Sequence, residues 1–219
     1  VFYNFARFIL TMSGIVLGLT GYYFGAIYRV DDERLLWVGT TIIFAVGGFV
    51  IGGLIEKLSI NSHTDYLTGL WNRRYFYLTL DEQGERAFSG NKQLYVAMID
   101  VDGFKNVNDR YGHSIGDVLL SGIAAILRKS TRSKDIVIRW GGDEFVIIFT
   151  GVSLKNALEV MERIRFKVES TFSSYQLTIS SGIILLERNQ DLEELLRKAD
   201  QALYKAKEQK NAVITVTDL

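Results

Sequence analysis

Seven consecutive residues, Arg139-Trp140-Gly141-Gly142-Asp143-Glu144-Phe145, set two carboxylates beside two glycines between apolar runs at 136–138 and 145–149. Glycines of this kind accept positive φ, so Gly141 and Gly142 can turn the chain tightly and let a bulky ligand approach the backbone. Asp143 and Glu144 then stand near the tip of a hairpin, where carboxylate oxygens suit a hard cation such as Mg²⁺. Alone, the pattern fits a plain surface hairpin with solvated acids equally well.

A second acidic site changes that balance. The short apolar run 94–99 reads as a buried strand and leads directly into Asp100-Val101-Asp102-Gly103-Phe104. In extended chain Asp100 and Asp102 face one side. Carboxylates at a strand end and on a neighbouring hairpin can converge on a pair of metal ions, as two-metal phosphoryl or nucleotidyl transfer requires.

Helical periodicity marks residues 73–88, the stretch after Phe104 through Lys129, 154–172 and 191–210; strand-like runs occupy 94–99, 136–139, 145–150, 176–186 and 212–216. From Leu94 the order β-α-β-β-α-β predicts a ferredoxin-like or palm-like α/β (α+β) sandwich, with a further helix and an edge strand at its end.

Ahead of this lie two uncharged apolar stretches, 8–28 and 35–54, each long enough to cross a bilayer core, which takes about 20 residues. The charged segment 29–34 between them permits only a tight helical hairpin. Glycines 14, 18, 21 and 25 in the first stretch and 48 and 52 in the second have spacing that lets helix backbones touch, either within one chain or between two protomers. The expected division is therefore 1–57 for the two spans, 58–64 for a short linker and 65–219 for a catalytic domain. Formal net charge is zero, which argues against a broad basic surface for a nucleic acid polymer, and the absence of cysteine excludes disulfides and thiolate metal sites.

The chain resembles the GGDEF-domain diguanylate cyclases, bacterial enzymes that make cyclic di-GMP from GTP. The likeness is carried by Asp65-Tyr-Leu-Thr-Gly-Leu-Trp-Asn-Arg-Arg74, Asp100-Val-Asp-Gly-Phe-Lys-Asn-Val-Asn-Asp109, Tyr111-Gly-His-Ser-Ile-Gly-Asp117, the Gly-Gly-Asp-Glu-Phe run, Thr178-Ile-Ser-Ser-Gly182 and Ala199-Asp-Gln-Ala-Leu-Tyr-Lys-Ala-Lys207, in family order and spacing. It implies that two GTP condense, each 3′-hydroxyl attacking the other's α-phosphate with loss of two pyrophosphates. It further implies that Asp100, Asp143 and the Val101 carbonyl hold two Mg²⁺ per active site, with Mn²⁺ as an alternative. Asp143 is also the implied proton acceptor, and Glu144 either a metal ligand or its partner.

Asn108 and Asp117 match the guanine-reading positions and His113 the nucleotide-contacting histidine. An aspartate suits guanine, which donates from N1 and its exocyclic amine, whereas adenine N1 is an acceptor. Gly103 and Phe104 match backbone phosphate donors, with Gly141 and Gly142 close to the ligand, and Lys105 and Lys207 match phosphate cations. Past Lys207 the family's glycine is missing, so Lys210 reaches the second cation's place from a different position. Arg132 and Asp135 match the R-x-x-D inhibitory pair, for which cyclic di-GMP is product and feedback ligand.

The resemblance implies a homodimer, since each domain brings one GTP, and places the catalytic domain in the cytoplasm beneath the bacterial inner membrane, with lipid around a multi-pass anchor. A catalytically silent receptor for GTP or cyclic di-GMP is the alternative, and the intact acids argue against it.

Overall fold

The computed structural model describes residues 6–27 and 34–215, which fall into two compact units, Val1–Ser62 and His63–Leu219. Tyr28, the charged segment 29–33 and Val216 of the terminal strand run lie outside the described residues.

The first unit holds α1 (Ala6–Ile27) and α2 (Arg34–His63). They pack antiparallel: Gly14 lies against the backbone of Phe44, Gly18 against Thr41, Gly21 against the Trp37 ring, and Gly48 against the backbone of Leu10. The small residues thus bring the two helices of one chain into backbone contact, the first of the two uses open to them. The segments Arg7–Ala26 and Trp37–Ile55 are each long and apolar enough to cross a membrane, and only 11% and 6% of them are buried within the protein. α2 runs through the stretch read as a linker, which is therefore helical up to His63.

The second unit begins with a strand that the sequence reading did not foresee, β1 (Trp71–Asn72), too short to show alternation. Then come α3 (Arg73–Ser89), β2 (Leu94–Asp102), α4 (Phe104–Tyr111), α5 (His113–Ser130), β3 (Ile136–Gly141), β4 (Glu144–Thr150), α6 (Leu154–Thr171), a 3₁₀ turn (Ser173–Tyr175), β5 (Thr178–Leu185), α7 (Leu192–Gln209) and β6 (Val213–Thr215). The stretch read as one helix after Phe104 is two, because Gly112, at φ 82° and ψ 158°, leaves helical conformation between α4 and α5.

The sheet order is β1-β3-β4-β2-β5-β6, antiparallel in its centre, with β1 parallel to β3 and β6 parallel to β5. β2 is covered on both faces, which explains its unbroken apolar run. Tyr95, Ala97, Ile99 and Val101 join the core under α4, α5 and α6, while Leu94, Val96 and Met98 join the core under α3 and α7. Period-2 alternation therefore delivers Asp100 and Asp102 to the α3/α7 face. On β5, a side chain at Gly182 would collide with the α7 backbone at Leu203, so this glycine lets α7 lie close on the sheet.

The missing family glycine has a backbone consequence. Lys210 closes α7 at φ 55° and ψ 154°, and Asn211 follows at φ 49°. The first of these is territory that a side chain reaches only under strain, at a cost of about 1–3 kcal/mol. Lys210→Gly is expected to raise unfolding stability by ~1 kcal/mol, after allowing for the greater freedom of glycine in the unfolded chain. Denaturant unfolding measures this, and a loss of stability would show that the lysine side chain contributes more than its backbone costs.

Candidate active site

β2 and β4 pair so that Asp100 lies directly opposite Glu144. Between Gly141 and its partner Glu144 the chain reverses through Gly142, at φ 49°, and Asp143. The tip is tied to β2 because Val101 N–H donates to the Asp143 carbonyl at 3.2 Å. Three acids thus come together at one end of the central strands, and α7 contributes a cation, with Lys207 Nζ 2.8 Å from Asp100 Oδ2.

Burial is the strongest influence on the Asp100 carboxyl and pushes its pKa above the ordinary value; Lys207 offsets part of this, while Asp143 and Glu144 add to the rise. Burial also works against charge on Lys207, yet contact with Asp100 and the nearby Glu144 and Asp143 outweigh it and hold the ammonium above its ordinary pKa. Burial first, and the neighbouring acids after it, thus disfavour ionisation of Asp100. Such a site suits an oxygen-coordinated divalent cation. Among the described residues no three such side chains are already drawn close enough to hold a metal, so the donors that fit one are Asp100, Asp143 and Glu144 as neighbours rather than a closed cage.

Asp102, on the same face as Asp100, is taken up differently. It accepts hydrogen bonds from Thr178 Oγ1 (2.7 Å), Ser180 Oγ (2.8 Å) and Asn211 N (3.1 Å), fastening β2 to β5 and to the chain after α7. It is a structural carboxylate.

Next to the acids, Gly103 stands at the N-terminus of α4 with φ 77° and no side-chain cap, so the first N–H groups of the helix, beginning at Phe104, are not satisfied by a capping side chain. Lys105, His113 and Asp117 are exposed, and Asn108 is half-buried on α4. The Asn108 Oδ1 is enclosed without a hydrogen-bond donor among the described residues. Lys210 is exposed beyond α7.

Arg132 and Asp135 sit apart from this group, at the other end of β3 from Gly141, about 20 Å away along six extended residues. Arg132 donates to Asp135 from its backbone N (2.9 Å), from Nε (3.1 Å) and from Nη2 (2.9 Å). A cavity of about 180 Å³ adjoins the pair, walled by Gly69, Trp71 and Arg128 among others. On the neighbouring helix, Arg163 Nη2 donates to the Ser130 carbonyl at 2.7 Å, two residues before Arg132.

Sequence reasoning assigned no role to the groups that brace the hairpin. Arg139 Nη1 meets Asp65 at 3.0 and 3.2 Å, and its Nε and Nη2 donate to the Gly142 carbonyl at 3.1 and 2.8 Å. Both side chains are largely shielded, at 12% and 16% exposure. One residue further, the Trp140 ring lies under the Arg73 guanidinium at 4.5 Å and edge-to-face with Phe76. Asp65 and Arg73 both belong to the opening Asp65–Arg74 run, so this run grips the hairpin at two adjacent residues. The signal was present in the quoted motifs, but a contact across 74 positions leaves no trace in periodicity.

The GGDEF family profile, described as "Diguanylate cyclase, GGDEF domain", matches residues 62–212. The chain belongs to this family. It is 41% identical over 157 residues to "Diguanylate cyclase DgcM" of Escherichia coli (strain K12), covering 70% of this chain and 38% of that protein. It is also 41% identical over 160 residues to "Response regulator PleD" of Caulobacter vibrioides, covering 69% of this chain and 35% of that protein. The chain thus matches only somewhat more than a third of the length of these relatives. Among solved structures, the GGDEF domain of DgcB from Caulobacter crescentus in complex with c-di-GMP superposes with a TM-score of 0.65 at 30% identity, covering 71% of this chain and 93% of that one. The coiled coil and GGDEF domain of the same protein gives a TM-score of 0.72 at 26% identity, covering 87% and 99%.

For Asp65, burial opposes charge most strongly, but hydrogen bonds from Thr68 and the Arg139 guanidinium outweigh it and hold the pKa below the ordinary value. A carboxyl with a depressed folded pKa adds stability above its unfolded pKa of about 3.9 and loses it as pH falls through the folded value. Asp65→Asn is therefore expected to cost ~2 kcal/mol at pH 7, with the difference from the parent shrinking below about pH 4. Urea unfolding across that range checks it, and a pH-independent difference would assign the loss to packing instead.

Proposed function

We propose that this protein is a membrane-anchored diguanylate cyclase that condenses two GTP into cyclic di-GMP and two pyrophosphates. The observation that supports it most is the gathering of Asp100, Asp143 and Glu144 beside Lys207, next to a helix N-terminus without a side-chain cap. Asp100, Asp143 and the Val101 carbonyl are the proposed holders of Mg²⁺, two per site, with Glu144 as a further ligand or as the partner of Asp143. When bound, the ions would lower the pKa of the attacking hydroxyl and neutralise the triphosphate.

The chain's own groups do the rest. Asn108 and Asp117 read the guanine edge and His113 lies beside the nucleotide. The Gly103 and Phe104 N–H groups receive terminal phosphate oxygens at the start of α4, where unpaired donors and the helix dipole favour an anion. Lys105, Lys207 and Lys210 supply positive charge, with Lys207 exchanging its contact with Asp100 for phosphate. Gly141 and Gly142 let the substrate approach the hairpin backbone, and the Asp143 carboxylate accepts the 3′-hydroxyl proton.

Because each domain offers one such site, turnover requires two chains face to face. α1 and α2 would hold them in the bacterial inner membrane with the second unit in the cytoplasm, where GTP is. Arg132 and Asp135, with the adjoining cavity, form the proposed feedback site for cyclic di-GMP.

Purified full-length protein in detergent, supplied with GTP and Mg²⁺, is expected to release pyrophosphate steadily while cyclic di-GMP accumulates. Asp143→Asn is expected to lower this rate by ~10²-fold or more with the fold intact by circular dichroism. Binding of GTP or cyclic di-GMP without turnover by the parent protein would identify a receptor instead.

Arg132→Ala is expected to raise the cyclic di-GMP concentration for half-inhibition by ~10-fold or more, since a charge-assisted contact is worth about 1.5–3 kcal/mol, and to leave the initial rate near that of the parent. An unchanged inhibition curve would remove Arg132 from the feedback site.

A further inference from the structure

The corner between α4 and α5 carries a contact that bears on how the base is read. Gly116 is buried in the first turn of α5, and a side chain built there would occupy the space now filled by the Asn108 Oδ1 and would also press the Phe104 ring, at 3.1 Å. The Asn108 oxygen therefore rests against a bare backbone. It is enclosed there and accepts no hydrogen bond among the described residues, an uncommon state for a part-buried amide. The amide nitrogen occupies the other branch of the same planar group and is the donor of the pair. Among the described residues no side chain donates to the oxygen, and its close approach to the Gly116 backbone sets which edge of the amide faces α5.

We propose that Gly116 is a positioning residue for nucleotide specificity: its missing side chain lets the Asn108 amide lie flat against α5 and present Nδ2 to a purine acceptor. Asp117, the next residue, then supplies the complementary acceptor for the purine donors. A donor on α4 and an acceptor on α5 are thereby held at one separation by a contact that no larger residue permits. This rests on the assignment of Asn108 and Asp117 to guanine, and it adds a residue that does not touch the base.

The test is a double-mutant cycle on the full chain in detergent, with fluorescent mant-GTP and mant-ATP as probes and Tm recorded for each variant. Gly116→Ala is expected to weaken mant-GTP binding ~10-fold or more while mant-ATP binding changes little, because the lost contact is specific to guanine. Asn108→Ala should give a similar loss, and adding Gly116→Ala to it should cost nothing further, since the two residues act through one contact.

Parent-like GTP preference in Gly116→Ala, equal losses with both nucleotides, or a full additional loss in the double variant would each overturn the proposal. If Gly116→Ala alone does not fold, the double variant decides. A folded double variant with the affinity of Asn108→Ala upholds the contact with Asn108. A misfolded one shows that Gly116 makes room for Phe104 instead. Failure of the parent protein to prefer mant-GTP would count against the functional assignment itself, a result separate from any of these.

Discussion

The guanidinium of Arg139 satisfies two demands at once, and the geometry of the acidic site depends on it. One edge holds the Asp65 carboxylate and the other holds the Gly142 carbonyl at the hairpin tip. A planar, permanently charged fork suits such a double role, because its donors diverge in fixed directions. A two-residue turn carrying a glycine at φ 49° has little of its own to keep it in one conformation. The brace from Asp65, together with the Val101 N–H on the Asp143 carbonyl, holds the tip from two sides. Trp140, pressed between Arg73 and Phe76, holds the residue just before the turn.

The acids can be crowded because the sheet beneath them is rigid. β2 is sealed between two apolar layers, and its alternation leaves no choice about the face on which Asp100 emerges. Pairing with β4 puts Glu144 across from it, and the burial that steadies the strand also raises the Asp100 pKa. Lys207 relieves part of that stress, and it arrives because Gly182 lets α7 lie against β5. Stability and chemistry pull in opposite directions at this point, as they commonly do where a fold is organised around a charged ligand.

Around the acidic site, Gly182 and Gly116 act by letting chain segments approach. Gly182 admits α7 to the sheet, and Gly116 admits the Asn108 side chain to α5. The family glycine missing after Lys207 shows the opposite case. Its removal leaves Lys210 in a backbone region that glycine fills without strain, so this chain carries its lysine at a local cost.

By itself the sequence determined the β-α-β-β-α-β order, the two apolar spans, the acids at 100, 143 and 144, and the family. These follow from local periodicity and from motifs whose members lie close together in the chain. Several features were decided only by the tertiary structure. Asp102 is the same residue type on the same strand face as Asp100, yet Thr178, Ser180 and Asn211 consume its oxygens, and those partners are 76 or more residues away. The break at Gly112 was hidden because apolar residues recur at helical spacing on both sides of it. β1 was hidden because two residues show no period, and it is a strand only because β3 lies beside it. The glycines of α1 and α2 were open to two uses until the antiparallel packing of one chain took up Gly14, Gly18, Gly21 and Gly48. Asp65 and Arg139 were plain to read as residues, but their meeting depends on folding across 74 positions, and long-range pairing of charges leaves no pattern in a linear chain.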